Sequence, residues 1–289
     1  MKPQVLKMAN TPGASFELRR DQVPVNNRWH YHKEVELIYV ISGSGTLLIG
    51  NRIRSFSAGT LCMIGAGIPH YWRFDDQYFG FGKVPIDVIA IHFPETFWGQ
   101  SFLDLPENKD IRQLLERAKK GILIQGSIKS LIPTFQYMLS INGPYRIISL
   151  IALLSKIARW PTITYLLPEQ IATFISTQDE GRINTIYNYT MKHFKRAIRL
   201  LEIAEIAGVT PNAFCRYFKQ QTQKTYSQFI IELRVSYACK QLEETDRPIK
   251  SLSLESGFAN IASFRRFFKI ITGLSPLSYQ KAYKVRTTS

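Results

Sequence analysis

Phe214-Cys215-Arg216-Tyr217-Phe218-Lys219 returns fifty residues later as Phe264-Arg265-Arg266-Phe267-Phe268-Lys269. Each copy follows a short apolar segment that closes on glycine: Ile203-Ala204-Glu205-Ile206-Ala207-Gly208-Val209 and Leu252-Ser253-Leu254-Glu255-Ser256-Gly257-Phe258. A motif repeated in this way marks one supersecondary unit built twice. Each copy holds the parts of a helix-turn-helix. A small residue, Ala204 or Ser253, stands where the second helix must cross closely. Gly208 or Gly257 ends the first helix in the left-handed conformation, and Val209 or Phe258 pins the turn. Thr210 then caps the second helix with Pro211 at its first position.

Within that second helix Phe214 and Phe218 lie four apart and face inward, as do Phe264 and Phe268. Arg216, Lys219, Arg265 and Lys269 are left on other faces. A buried aromatic pair backing exposed basic residues suits a helix lying in the major groove of DNA. A helical packing repeat with no such role is the plainer reading, and the charge weighs against it. Between the copies, Ser227 to Glu243 forms one helix with Phe229, Ile230, Leu233, Tyr237 and Leu242 at helical spacing.

The charge is unevenly placed. The 289 residues carry 37 Lys and Arg against 22 Asp and Glu, a formal +15. The residues after Glu180 hold 18 of those cations and 7 of the anions, and so +11 of the total. A basic excess confined to one end fits a polyanion-binding domain joined to a nearly neutral partner domain. With 45% hydrophobic residues, 18 Phe and 14 Tyr, the chain is neither disordered nor fibrous. Cys62, Cys215 and Cys239 are too few and too scattered for a disulfide framework or a thiolate zinc site, and fit a reducing compartment. Met1 to Asn10 lack the apolar core of a signal peptide, and no stretch reaches the roughly 18 apolar residues of a spanning helix. A cytoplasmic protein without membrane contact is expected.

The first half reads differently. Leu37 to Ile41 and Thr46 to Ile49 are β-rich runs separated by Ser42-Gly43-Ser44-Gly45, Gly50-Asn51 and Ser57-Ala58-Gly59 punctuate further strands, and Val88 to Phe93 reads as another. Many short strands with glycine turns suggest a sandwich or small barrel. From Asp110 the period becomes helical, with Ile111, Leu114, Leu115 and Ala118. Ile147 to Ile157 is a longer helix whose apolar positions exceed one stripe. That pattern fits either a helix buried within one chain or one that adds a subunit contact. Pro161 to Glu180, with weak periodicity, reads as a linker. The expected organisation is therefore a sheet-rich domain with appended helices over 1–160, a linker over 161–181 and an all-α domain with two helix-turn-helix units over 182–289.

From about Arg182 to Tyr283 the chain resembles the DNA-binding domain of AraC/XylS-type transcriptional regulators. Ile203-Ala204, Ala207-Gly208, Phe214, Arg216, Phe218-Lys219, Leu233-Arg234, Ala238, Gly257-Phe258, Asn260, Phe264, Arg266, Phe268-Lys269, Gly273 and Ser275-Pro276 sit at the family's spacing. Ser253 stands where the family usually has Ala, and Gln223 where it usually has Gly. The resemblance implies that one chain inserts both second helices into successive major grooves of duplex DNA at a promoter operator. It places base-facing or backbone-facing positions at Thr210, Asn212, Cys215, Arg216 and Lys219, and at Ala262, Arg265, Arg266 and Lys269. A homodimer, an activator role and RNA polymerase as a further contact are expected of such a regulator, while the sequence itself does not name the sign of regulation.

His30-Tyr31-His32, then Glu36, then Gly43, with His70 following Gly59 and Gly67, resembles the cupin barrel. The first cupin motif is matched at every position, and the second departs at Gly65 and Phe74. On an extended strand His30, His32 and Glu36 share a parity and point to one side. Such a set suits either a hydroxyl-rich effector, a sugar or sugar derivative, in a metal-free pocket, or a divalent first-row metal at His30, His32, Glu36 and His70. Metal-free effector binding is favoured. His92 is expected to reach the same cavity, and Trp29, Tyr31, Tyr39 and Trp72 to offer stacking faces. A ligand-responsive, non-enzymatic transcription factor is the leading reading. The alternative, a metal-dependent cupin enzyme fused to a DNA-binding domain, leaves the basic repeat without a use.

Overall fold

Leu37 and Tyr39 alternate with Ile38 and Val40, and the two sets enter different hydrophobic clusters. That alternation is the period-2 geometry of a strand buried on both faces. It repeats along neighbouring strands and organises the first half of the molecule. The computed structural model describes residues 4–5, 15–23, 29–79, 84–168 and 180–287.

Among them the strands are β1 (Gln4–Val5), β2 (Glu17–Asp21), β3 (His30–Tyr31), β4 (Val35–Ser42), β5 (Gly45–Ile49), β6 (Arg52–Phe56), β7 (Leu61–Ile64), β8 (His70–Phe74), β9 (Asp87–Phe93), β10 (Ile122–Ile124) and β11 (Ile163–Tyr165). They form a five-stranded sheet in the order β1-β3-β8-β5-β6 and a six-stranded sheet in the order β11-β10-β7-β4-β9-β2. One core is shared by both sheets: Ile38, Val40, Cys62, Ile64 and Val88 from one, and Leu47, Ile49, Phe56, Trp72 and Phe74 from the other. The opposite face of the six-stranded sheet, with Leu37, Tyr39, Met63, Ile91 and Phe93, packs against the helices α1 (Lys109–Ala118), α2 (Ile132–Ser140) and α3 (Pro144–Ala158). Along α3, Leu150, Leu153, Leu154 and Ile157 are fully buried, while Tyr145 and Ile148 lie exposed. The apolar excess read from the sequence is thus divided between core and surface.

The expected linker starts too early. Pro161 does not open a tether, because β11 follows at once and pairs antiparallel with β10, Ile163 opposite Ile124 and Tyr165 opposite Ile122. Leu166 and Leu167 are buried in the core shared by the sheets, and their amides donate to the carbonyls of Gly121 and Lys120 at 2.9 Å each. The β-branched residues Ile163 and Thr164 favour extended pairing, and flanking prolines bound the strand without breaking it. Residues 169–179 of the proposed linker lie outside the described residues.

The second compact unit is helical: α4 (Glu180–His193), α5 (Leu200–Ile206), α6 (Pro211–Thr222), α7 (Tyr226–Glu244), α8 (Ile249–Glu255), α9 (Ile261–Thr272) and α10 (Pro276–Thr287). The repeat is structural as well as sequential. Thr222 donates its hydroxyl to the Phe218 carbonyl at 2.7 Å and Thr272 to the Phe268 carbonyl at 2.8 Å, and each also reaches a carbonyl two residues on. The copies differ in their turns: the N-cap Thr210 comes two residues after Gly208, whereas the N-cap Asn260 comes three after Gly257. Ser253, fully buried where the helices cross, donates its hydroxyl to the Lys250 carbonyl at 2.8 Å and so fits the tight position.

Candidate nucleic-acid interface and buried histidine centre

On α6 the Thr210 side chain accepts from the Ala213 amide at 3.4 Å, and on α9 Asn260 accepts from Ser263 at 2.8 Å. These caps satisfy donors that a helix start leaves open. Phe214, Phe218, Phe264 and Phe268 are wholly buried, with ring centroids 5.8 Å apart in the first pair and 5.5 Å in the second. Anchoring by those rings leaves Thr210, Asn212, Cys215, Arg216 and Lys219 exposed on one unit, and Ala262, Arg265, Arg266 and Lys269 exposed on the other. Among the described residues neither Arg216 nor Arg265 has an acidic partner, so each guanidinium keeps its fork of donors for a ligand. Arg266 lies over the Phe267 ring, 5.4 Å from its centroid.

The second site is inside the sheet-rich unit. His30, His32, Glu36, His70 and His92 are all buried. The ligand atoms of His30, His32 and His70 lie within 4.8 Å of one another, as do those of His32, Glu36 and His92. His70 Nε2 is 3.0 Å from Glu36 Oε2, and His92 Nε2 is 3.4 Å from Glu36 Oε1. Trp72 Nε1 donates to Glu36 Oε2 at 3.4 Å.

Parity on one strand is not what brings these groups together. His30 belongs to β3 in one sheet and pairs with His70 on β8, whereas Glu36 belongs to β4 in the other sheet and pairs with His92 on β9. The chain turns between them at Lys33 and Glu34, outside either strand. The centre is a polar layer spanning the space between two sheets, with the shared apolar core beside it. Alternation also removes Tyr39 from the expected pocket. It stands three residues from Glu36 and so faces the helices, where its ring packs 5.4 Å from Phe135. Tyr31 likewise alternates with His30, while Trp72 shares the inward face with His70.

Tautomers follow from the carbonyl partners. His70 Nδ1 is 2.8 Å from the Ile68 carbonyl and His32 Nδ1 is 2.8 Å from the Glu34 carbonyl. A carbonyl can only accept, so both Nδ1 atoms donate, and the neutral His32 ring turns its Nε2 lone pair inward. His32 Nε2 has no hydrogen-bond partner among the described residues, whereas His70 Nε2 faces Glu36 Oε2. Burial, reinforced by His70, lowers the His32 pKa to about 3, which keeps the ring neutral. Burial raises the Glu36 pKa, but His70 and His92 outweigh it and hold the carboxyl well below the usual range. Ring nitrogens of His30, His32, His70 and His92 converge around a buried carboxylate, and imidazoles oriented by backbone carbonyls are the usual surroundings of a bound metal. The donor set therefore fits a divalent first-row ion.

Glu17 was not anticipated. It is the register partner of His92 on β2, and its Oε2 is buried without a hydrogen-bond partner. The signal was weak because Glu17-Leu18-Arg19-Arg20-Asp21 has almost no apolar alternation, as befits a charged edge strand.

Comparison with known proteins agrees with this architecture. Residues 203–282 match the helix-turn-helix domain family, and residues 21–77 match the cupin domain family. An HTH-type transcriptional regulator of Staphylococcus aureus is 28% identical over 134 residues, 44% of this chain and 18% of the relative. The regulator YobQ of Bacillus subtilis is 27% identical over 132 residues, 42% of this chain and 55% of the relative. The matched stretch thus spans about half the length of one relative and under a fifth of the other. Among solved structures, ToxT from Vibrio cholerae is 15% identical over 92% of this chain and 98% of its own, with a TM-score of 0.36. The DNA-binding domain of AdpA, solved in complex with a target DNA, is 26% identical over 35% of this chain and 91% of its own, with a TM-score of 0.34. The chain thus carries a helix-turn-helix domain over residues 203–282 and, ahead of it, a cupin domain over residues 21–77. No helix among the described residues is long and apolar enough to cross a membrane.

Proposed function

We propose that this chain is a sequence-specific DNA-binding transcriptional regulator, with α6 and α9 entering successive major grooves of a promoter operator and the buried histidine centre serving as its effector site. The observation that carries the reading is the duplicated unit: two helices, each anchored by a buried phenylalanine pair, each presenting an arginine without an acidic partner. An enzyme reading leaves both helices without a role. The test is competition binding of the full chain to promoter fragments against bulk DNA at moderate salt. Preference for particular fragments, with affinity falling steeply as salt rises, supports it. Equal affinity for bulk DNA overturns it.

At the histidine centre two ligands remain in view. A sugar-like effector offers hydroxyl donors to the Nε2 atoms of His32 and His70 and to Glu36. The converging ligand atoms favour a resident divalent metal held by His30, His32, Glu36 and His70, with His92 against the carboxylate. When bound, such an ion supplies positive charge and a position for an oxygen ligand. The surrounding chain holds the tautomers, keeps Glu36 ionised and excludes water. The exposed Tyr145 and Ile148 on α3 support a homodimer through that face. Sedimentation of wild type against the pair Tyr145→Glu and Ile148→Glu tests it, and an unchanged mass would remove the assignment. Activation and contact with RNA polymerase follow from the same reading, and a reporter gene carrying the selected operator reads the sign of regulation.

A further inference from the structure

Arg234 stands near the middle of α7, the helix that joins the two helix-turn-helix units, and its guanidinium leaves that helix to hold the first unit. Nε donates to the Phe194 carbonyl and Nη2 to the Arg196 carbonyl, both at 2.8 Å, just beyond the end of α4. The same guanidinium lies over the Phe258 ring of the second unit, 5.9 Å from its centroid. Gly257 completes the junction. A Cβ there would come within 2.8 Å of the Phe194 and Lys195 carbonyls and 2.9 Å of Arg234 Nε.

The repeat supplies an internal control. Gly208 fills the same place in the first turn with a similar backbone, φ +67 against +87, yet a Cβ on it would meet nothing within 4 Å. A helix-turn-helix therefore does not itself demand the close approach seen at Gly257. The approach belongs to the junction between units. Beside it the two units leave a cleft of about 480 Å³, lined among others by Lys195, Ile198, Ile230, Leu254 and Phe258. Arg234 and Gly257 themselves form part of its wall, so the junction through Arg234 borders the cleft.

Successive major grooves lie about 34 Å apart, and displacing one half-site by a base pair turns it by roughly 35° around the duplex. A hinge between the units would let a single chain accept several such spacings, whereas a brace admits one. We propose that Arg234 is a positioning residue that fixes the separation and rotation of α6 and α9, and so sets which spacing between half-sites the protein accepts. This rests on the DNA-binding reading above.

The experiment selects bound duplexes from a random pool with the full chain, in wild type, Arg234→Ala and Arg234→Lys, and reads the distance between the two enriched half-sites. Wild type is expected to show one spacing. Arg234→Ala should keep the half-site sequences but spread over adjacent spacings. Lysine retains the charge without the two-pronged donor geometry, so Arg234→Lys should give an intermediate spread, and it carries the test if the alanine variant does not fold. A single unchanged spacing in the folded variants overturns the inference, as does a uniform loss of affinity with the spacing preserved. Failure of wild type to enrich any two-part sequence would instead overturn the DNA-binding reading itself.

Discussion

Gln223 ends α6 in the left-handed conformation that Gly273 provides at the end of α9, with φ of 57° and 78° respectively. It is the one residue other than glycine with positive φ among those described. Its side chain offsets part of the strain by donating Nε2 to the Gln220 carbonyl at 3.1 Å.

A left-handed residue with a Cβ costs about 1 kcal/mol or more relative to glycine. Gln223→Gly should therefore stabilise the helical unit by about 1 kcal/mol, less a few tenths for the freer unfolded chain. Denaturant unfolding followed by circular dichroism measures it, and a loss of stability would show that the amide bond to Gln220 outweighs the strain.

Arg265 and Lys269 of α9 should behave differently on DNA. Arg265→Ala should relax specificity at one or two positions of the site, at a cost of about 1–3 kcal/mol for the correct base. Lys269→Ala should weaken all sequences alike and lower the salt slope by about 1. Binding to single-base operator variants at several salt concentrations separates them. A uniform loss from Arg265→Ala would reassign it to phosphate.

Metal analysis of protein purified without chelator should find a divalent first-row ion in wild type and little in His32→Ala or His70→Ala. Chelation should lower the melting temperature of wild type only, because an ion at 100 times its Kd adds about 2.7 kcal/mol. If wild type is metal-free while a sugar raises its melting temperature through the same two histidines, the centre is an effector pocket without metal.

In chelator, His32 makes stability depend on pH. Its folded pKa, about 3, lies below the unfolded value of 6.5, so between them the unfolded chain binds a proton that the folded chain refuses. Stability should therefore be full above about pH 6.5 and fall toward pH 3, by at most about 1.4 kcal/mol per pH unit from this group. His32→Gln should flatten that slope. The same slope in wild type and variant would place the acid sensitivity elsewhere.

The helical unit was legible because its rules are local: spacing of Phe214 and Phe218, a cap at Thr210 and a glycine at 208 each act within a few residues. The histidine centre was legible as a set of residues, since its motif is a string, but not as geometry. His30 and Glu36 occupy different sheets, and no count of parity crosses the turn at Lys33. Tyr39 could have been excluded by the same alternation that buried Ile38 and Val40. β11 was hidden because proline at 161 and 168 suggested a tether, while the partner that makes Ile163 a strand lies some forty residues earlier at Ile124.

The extra residue in the second turn, which moves its N-cap from two to three residues beyond the glycine, makes the units unequal within one chain. A palindrome is the natural target of two equal halves related by a dyad. Unequal halves in fixed order have instead a front and a back. If the two units read DNA as proposed, their site points along the duplex like an arrow, and exchanging its two half-sites would lose the fit.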